Sequence, residues 1–391
     1  MARPNSDSDA RPPAARRLRI LYLTQVDCSR PYNGSTSRIH DTLGFLTARH
    51  EVHLAYVGIP LGQVGSEVPP QLPSGLASAV EATRGGFVSK FFNIRLFRAA
   101  QRLVRSKRFD LAIVEFGEAG VYGLALRALH GLPFVYMSQN VECQLHLQRA
   151  RPTLLRRAFA TFLALIERLS ARYAELVTTV TAADAAVFRK WARSGGQVQV
   201  VPVGFRASRF NPANARAEDP PKLVFVGNMD YSPNLDAVRF IVDEVMEGVL
   251  KRRPDAVFQF VGTHPPGLED TAPRAEFTGF VDDLAGHLKQ ARLVLVPVMV
   301  GGGMRMKTVE ALACGKMVIA SGRGADGIDL RRVRRIRLVE PEVFGRTILE
   351  ELEQGVADDD IDFPYLRAEF STEATLDRFD NELRKIAASR A

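Results

Sequence analysis

Apolar residues in this chain fall into short runs separated by amphipathic stretches. The first run, 18–24 (LRILYLT), is too short for a core helix and predicts a buried strand. A loop with Pro31, Asn33, Gly34 and Ser35 follows, then a helical stretch over 37–46 and a second strand over 51–57. Strand, loop, helix, strand is the opening of a parallel sheet with crossover helices. Further runs at 111–114, 134–137, 177–180 and 198–201 continue it, with helical segments between them. A second cycle opens at 222–227, with a helix from about Asn234 and a strand over 256–261. Strands are also predicted at 274–277, 293–296 and 317–320.

The fold class is therefore α/β: two Rossmann-like domains with parallel sheets facing across a cleft. The expected layout is a disordered polar leader over 1–17, a first domain over 18–210, a Pro-rich linker over 211–221 and a second domain over 222–371. A last helix over 372–391 is expected to cross back to the first domain. Open parallel sheets place ligands at the carboxyl ends of their strands, hence in the cleft.

Composition removes some alternatives. No apolar stretch reaches the ~18 residues a membrane-spanning helix needs, and the longest, 158–166, ends at Glu167. Cys28, Cys143 and Cys314 are widely spaced and odd in number, which fits neither a disulfide framework nor a zinc site and suggests a reducing cytoplasm. Charge is uneven: residues 1–200 carry 26 Lys/Arg and 14 Asp/Glu, a net of +12, and the rest carry 26 and 30, a net of −4. A basic first half could face phosphate, nucleic acid or an anionic membrane. Aromatic residues interleaved with the basic ones for base stacking are not evident, so nucleic acid is not expected as a partner.

The segment carrying most chemistry follows the strand at 293–296. Gly301, Gly302 and Gly303 would let backbone N–H groups approach a phosphate, and the helix behind them adds partial positive charge. Arg305 and Lys307 add full charges, and Glu310 could accept from ribose hydroxyls. The competing reading is a tight turn into a core helix, with Lys307 and Glu310 as a surface pair.

Several spaced motifs resemble glycosyltransferase family 4, retaining enzymes with the GT-B fold. In the second half these are VFVGNMDYSPNLDAV at 224–238, FQFVGTHPP at 258–266, FTGFVDDL at 277–284, VPVMVGGGMRMKTVEALACGK at 296–316 and GADGIDL at 324–330. Weaker matches in the first half are PYNGSTSR at 31–38, SQNVE at 138–142, TTVTAADAAVF at 178–188 and VVPVGF at 200–205. The resemblance implies a nucleotide-diphosphate sugar as co-substrate, no further cofactor, and a glycan or lipid-linked acceptor. It gives Glu310 the place of the second glutamate of a Glu-x7-Glu motif, which holds the donor ribose. The first glutamate is replaced by Gly302, which removes a usual contact to the donor sugar. The resemblance further implies donor contacts at Gly34 and Ser35, at Gly227, and at the base-framing Gly279, Phe280 and Val281. The loop after the strand at 222–227 lacks the usual Arg and Lys, whose charge Arg305 and Lys307 would supply. A subgroup with a Gly-Gly-Gly-x-Arg-x-Lys pattern is similar. Gln139 stands where many relatives have a histidine, so no general base is assigned. Asn140 and Glu142 are acceptor-side candidates, with a solvated loop as the alternative for Glu142. No Asp-x-Asp pair closes a strand, and no metal is expected.

A sugar-nucleotide epimerase on the same fold would need an acid/base set in the cleft, and no convincing His–carboxylate set is seen. A non-catalytic nucleotide-sugar-binding partner of another transferase is the other alternative, supported by Gly302 and Gln139. Lastly, residues 82–109 hold eight Lys/Arg and no Asp/Glu. On a helix Lys90, Arg95, Arg98, Arg102 and Arg105 share one side. The segment 84–108 is thus a candidate for peripheral contact with an anionic membrane on its cytoplasmic face, or simply a solvated helix face.

Overall fold

The computed structural model describes residues 16–29, 34–58, 72–83, 92–147, 153–300, 304–354 and 362–390. Among them the first domain holds β1 (Arg19–Thr24), α1 (Gly34–Arg49), β2 (Glu51–Gly58), β3 (Ser78–Thr83), α2 (Ile94–Ser106), β4 (Leu111–Glu115), α3 (Gly120–His130), β5 (Phe134–Met137), α4 (Glu142–Leu147), α5 (Leu154–Tyr173), β6 (Leu176–Thr179), α6 (Ala182–Trp191) and β7 (Gln197–Val200). The second holds β8 (Lys222–Val226), α7 (Ser232–Phe240), α8 (Glu247–Arg252), β9 (Val257–Val261), β10 (Ala275–Gly279), α9 (Leu284–Gln290), β11 (Leu293–Val296), α10 (Met306–Ala313), β12 (Met317–Ala320), β13 (Ile336–Leu338) and α11 (Phe344–Gln354). Two helices close the chain, α12 (Phe363–Phe370) and α13 (Thr372–Ala388).

Strand order is β3-β2-β1-β4-β5-β6-β7 in the first sheet and β10-β9-β8-β11-β12-β13 in the second, all parallel. Both sheets are covered on two sides. In β1, Leu21 and Leu23 pack into one core and Ile20 and Tyr22 into the other, as the strand period requires. In each sheet the order reverses beside the first strand of its domain, between β1 and β4 and between β8 and β11. Those reversals leave a crevice at the carboxyl ends.

Helix starts follow the sequence chemistry. Asn93 caps α2 by accepting from the Arg95 and Leu96 amides, and Thr153, Thr181 and Ser371 cap α5, α6 and α13. The chain crosses between domains twice, and the crossings bind each other: Phe205 N donates to Phe370 O, and Thr372 N donates to Phe205 O. A Cβ at Gly204 would stand 2.4 Å from Thr372 Cα, so glycine is needed for that approach. After the second crossing α13 joins the first domain's core through Leu376, Phe379, Leu383 and Ile386, beside Ile39, Leu43 and Leu46 of α1.

Two strands have no counterpart in the apolar pattern. β3 and β13 are edge strands of the sequences SAVEAT and IRL, with exposed positions and too little apolar content to stand out. Arg16 and Arg17, within the expected leader, are placed against the fold. Arg16 pairs with Asp110, and Arg17 donates to the Thr47 carbonyl. The rest of the leader lies outside the described residues.

Candidate active site

The second sheet's reversal point gathers Gly227 at the end of β8, Asn234 on α7 and the start of α10. Lys307, in the first turn of α10, extends over β8. Its Nζ donates to Asn234 Oδ1 at 2.9 Å and lies 4.1 Å from the centroid of the Phe225 ring. The Asn234 amide in turn donates to the Asn228 carbonyl at 2.8 Å, tying the loop after β8 to the helix that follows it. A Cβ on Gly227 would stand 2.8 Å from Asn234 Nδ2 and 2.9 Å from Lys307 Nζ. Gly227 is therefore the floor on which this pair rests. The surface-pair reading of Lys307 and Glu310 is corrected by this geometry. Lys307 spends its hydrogen bond on Asn234, and no ion pair to Glu310 forms among the described residues.

The two charged groups sit in opposing electrostatic conditions. Burial, followed by the neighbouring Arg305 charge, pulls the Lys307 ammonium down to about 7. Burial pushes the Glu310 carboxyl up to about 7, against the opposing pull of Arg209 and Lys307. Each is costly to keep charged without a ligand. Arg305, the residue before α10, is half-buried; burial lowers its guanidinium from its ordinary value. Arg305 donates weakly to the carbonyls of Val300 and Arg323, both at 3.4 Å. The turn of α10 is held from behind: Thr308 Oγ1 donates to the Gly324 carbonyl at 2.6 Å, and Ser321 Oγ donates to the Val298 carbonyl at 2.6 Å.

Of the other expected donor residues, Gly279 ends β10 with φ +67°, a conformation that favours glycine, and Phe280 after it is 77% exposed. Val281 is half-buried on the same turn. Gly301, Gly302 and Gly303 lie outside the described residues. Gly34 and Ser35 were expected in a loop; they are instead the first two residues of α1, so any ligand there would meet a helix N-terminus.

In the first domain the reversal point is occupied by a network that the sequence reading missed. Glu115, the last residue of β4, is fully buried. It accepts from the Tyr22 hydroxyl and from Gln139 Nε2, the latter at 2.9 Å, and faces Arg38 of α1 at 3.9 Å. Burial raises its carboxyl, and Arg38 opposes that rise. Gln139 thus serves as a donor to a buried carboxylate. The legible signal was a glutamate closing an otherwise apolar run. Beside it, Glu142 begins α4, its carboxylate 3.3 Å from the Asn140 amide nitrogen, and burial, with Glu118 next, pushes it up to about 7. The loop reading of Glu142 is corrected: it is half-buried on a helix end. Asn234 and Arg209 were also missed, because nothing local marks a side chain that acts across the fold.

Among the described residues no group of three or more His, Cys, Asp or Glu is placed to hold a metal ion. The three cysteines are buried and unpaired with one another. No helix of the described residues is long and apolar enough to cross a membrane.

Two parallel-sheet α/β domains with their carboxyl edges turned to a shared cleft define the GT-B class. Comparison with known proteins agrees. Residues 33–204 match the family model described as "Glycosyl transferase 4-like domain" and residues 220–353 the one described as "Glycosyl transferases group 1". Together they span most of the chain, and the chain belongs to these glycosyltransferases. It is 25% identical over 254 residues to the MMP alpha-(1->4)-mannosyltransferase of Mycolicibacterium hassiacum, a match over 60% of this chain and 58% of that protein's length. In structure it is similar to sucrose-phosphate synthase from Thermosynechococcus elongatus, with TM-score 0.73 and 18% identity, covering 95% of this chain and 100% of that one. It is also similar to Anabaena HepE in complex with UDP-glucose, with TM-score 0.66 and 17% identity, covering 94% and 100%.

Proposed function

We propose that this glycosyltransferase takes a sugar from a nucleotide-diphosphate donor and transfers it, with retention and without a metal, to a glycan or lipid-linked acceptor. The natural setting is cell-surface polysaccharide or glycolipid synthesis, with the donor supplied from the cytoplasm. The observation that carries the reading is the Lys307 ammonium, held over Gly227 by Asn234 and one helical turn from Glu310. An ammonium whose charge is disfavoured in the empty site is ready for a diphosphate, and a carboxylate beside it suits ribose hydroxyls. The HepE complex with UDP-glucose supports the same donor class.

As the donor C1–O bond breaks, negative charge builds on the leaving diphosphate. Lys307, Arg305 and the backbone N–H groups opening α10 are fixed donors for that charge, which costs no reorganisation at the moment of reaction. Gly227, Gly279, Phe280, Val281 and the 301–303 glycines would frame the nucleotide and sugar, with Gly34 and Ser35 approaching from the first domain. Asn140 and Glu142 fall on the acceptor side. Contact with an anionic membrane through 84–108 would bring a lipid-linked acceptor to the cleft; Arg95, Arg98, Arg102 and Arg105 are exposed along α2.

A panel of nucleotide sugars incubated with acceptor mixtures in chelator tests this reading, with the anomeric configuration of the product read by NMR. Retained configuration at a rate unchanged by added magnesium is expected. Arg305→Ala or Lys307→Ala should lower that rate by ~100-fold or more, the cost of losing a transition-state donor. Nucleotide binding without any turnover would favour the non-catalytic alternative; strict metal dependence would contradict charge neutralisation by side chains.

A further inference from the structure

The side of α5 that faces away from the core has the wrong polarity for a helix in water. Leu154, Ala158 and Leu165 fall on one line along it, with Leu155, Phe162 and Leu169 beside that line. Leu154 is 84% exposed, Leu155 56% and Leu165 55%, while Phe162 and Leu169 are half-buried. The one acid of the helix, Glu167, points the other way. It is fully buried and accepts from the Glu142 and Cys143 amides at 2.7 and 3.2 Å. So α5 keeps its carboxylate inside and its leucines outside, the reverse of a solvated helix. Single exposed leucines are ordinary; a line of them along a helix marks a surface that something covers.

Charge of one sign borders the apolar line. Arg157, Arg168 and Arg172 flank it, all exposed. Helices α2, α3 and α5 form one layer, because Leu96 and Ala100, Tyr122 and Leu126, and Leu163 and Ala171 enter the same core on one side of the first sheet. On the outer side of that layer α2 adds Arg95, Arg98, Arg102 and Arg105, and α3 adds the exposed Leu129. Neither α2 nor α3 contains Asp or Glu. The outer side of these three helices therefore presents arginines and leucines with no carboxylate.

That combination selects an occupant. A second copy docked on the same face would set arginine against arginine. Nucleic acid would use the arginines and leave the leucines in water. An anionic bilayer uses both: its phosphates take the guanidinium groups, and the leucines enter the boundary below them. We propose that the protein sits on an anionic lipid surface with α5 as the inserting helix, Leu154, Leu155 and Leu165 entering the lipid while the arginines of α2 and α5 hold the headgroups. The inserted end is the cleft end. Leu154 and Leu155 open α5 on the carboxyl side of the first sheet, where α5 is joined to α4 by the edge-on rings of His146 and Phe159, 5.0 Å apart. Glu142, on the acceptor side, opens α4. A lipid-linked acceptor would enter the cleft there; that step rests on the transferase reading, while the insertion does not.

Sedimentation of the full chain at low salt tests it, with vesicles of phosphatidylcholine alone or in equal parts with phosphatidylglycerol. The unaltered protein is expected to sediment with the anionic vesicles. Leu154→Ser/Leu155→Ser/Leu165→Ser should lower its partition onto them about tenfold or more, with thermal melting unchanged because all three side chains are exposed. A second readout needs no loss of binding. In Leu155→Trp the new indole should shift its emission to the blue on anionic vesicles and be quenched by brominated acyl chains, beyond the signal of Trp191, the one native tryptophan. Equal partition of the serine variant and the unaltered protein, an unquenched Leu155→Trp, or a leucine-dependent dimer in lipid-free solution each overturns the inference. If Arg95→Glu/Arg98→Glu/Arg102→Glu abolishes binding while the serine variant binds fully, the contact at α2 stands and insertion of α5 falls. No binding of the unaltered protein to anionic vesicles overturns both. None of these outcomes bears on nucleotide binding at Lys307, which calorimetry reads separately.

Discussion

Glu310 and Lys307 show how a site can be costly when empty and useful when filled. A carboxyl whose folded value is raised to about 7 lends stability below its unfolded value of roughly 4.3, and that stability is lost as pH rises through about 7. At pH 8 the empty protein therefore carries an unfavourable carboxylate. Glu310→Gln should raise the melting temperature of the empty protein at pH 8 and leave it little changed at pH 5. The same substitution should weaken nucleotide-diphosphate binding by ~1.5–3 kcal/mol, the worth of hydrogen bonds to a charged group. Lys307 sets the other limb. Its ammonium, lowered to about 7, loses its proton as pH rises, while Glu310 gains one as pH falls. Nucleotide affinity should accordingly decline on both sides of neutrality. Calorimetry from pH 5.5 to 9, paired with thermal melts, checks both; a Glu310→Gln protein with unchanged affinity would remove Glu310 from the site.

At the scale of elements, the turns after β8 and β9 separate binding from folding. In Gly227→Ala the new methyl meets the ends of two flexible side chains, Asn234 and Lys307. These can move, so the fold should persist while nucleotide affinity falls. In Gly262→Ala the methyl would stand 2.1 Å from the Gly227 carbonyl oxygen, at a φ of +132°. Backbone cannot yield so cheaply, and a loss of at least ~1–3 kcal/mol of stability is expected from overpacking alone. Denaturant unfolding and nucleotide titration of both variants would show the split; a Gly227→Ala protein that binds normally would contradict the placement of Lys307. For α2, vesicle sedimentation is the relevant check. The helix buries Leu96, Ala99 and Ala100 and exposes its arginines, with Ile94 48% exposed among them. Binding to anionic vesicles at low salt, lost at high salt and in Arg95→Glu/Arg98→Glu/Arg102→Glu, is expected, at most about 1 kcal/mol per basic residue. Equal recovery in the soluble fraction with anionic and neutral lipid would leave α2 a solvated face. The apolar runs made the buried strands legible because a strand covered on both faces has no polar period to hide it. The edge strands β3 and β13, and Asn234 as the partner of Lys307, were not legible, since their meaning lies in neighbours far away in sequence.

For the molecule as a whole, the two sheets supply unlike halves to one cleft. The second domain brings cations and a glycine floor at the β8–β11 reversal; the first brings the buried Glu115–Arg38 network. The paired crossings at Phe205 and Thr372, with α13 bedded on α1, tie the halves at one place and leave the carboxyl edges facing. Two-domain α/β character could be read from the chain because a second apolar cycle, opening at 222–227, marks it locally. Calorimetry of UDP and GDP in chelator tests most directly whether a nucleotide diphosphate binds at the start of α10 through Lys307. Binding of one or both to the unaltered protein, lost or strongly weakened in Lys307→Ala with the fold intact, is the predicted result. No binding of either nucleotide, or equal affinity in the unaltered protein and Lys307→Ala, would contradict it.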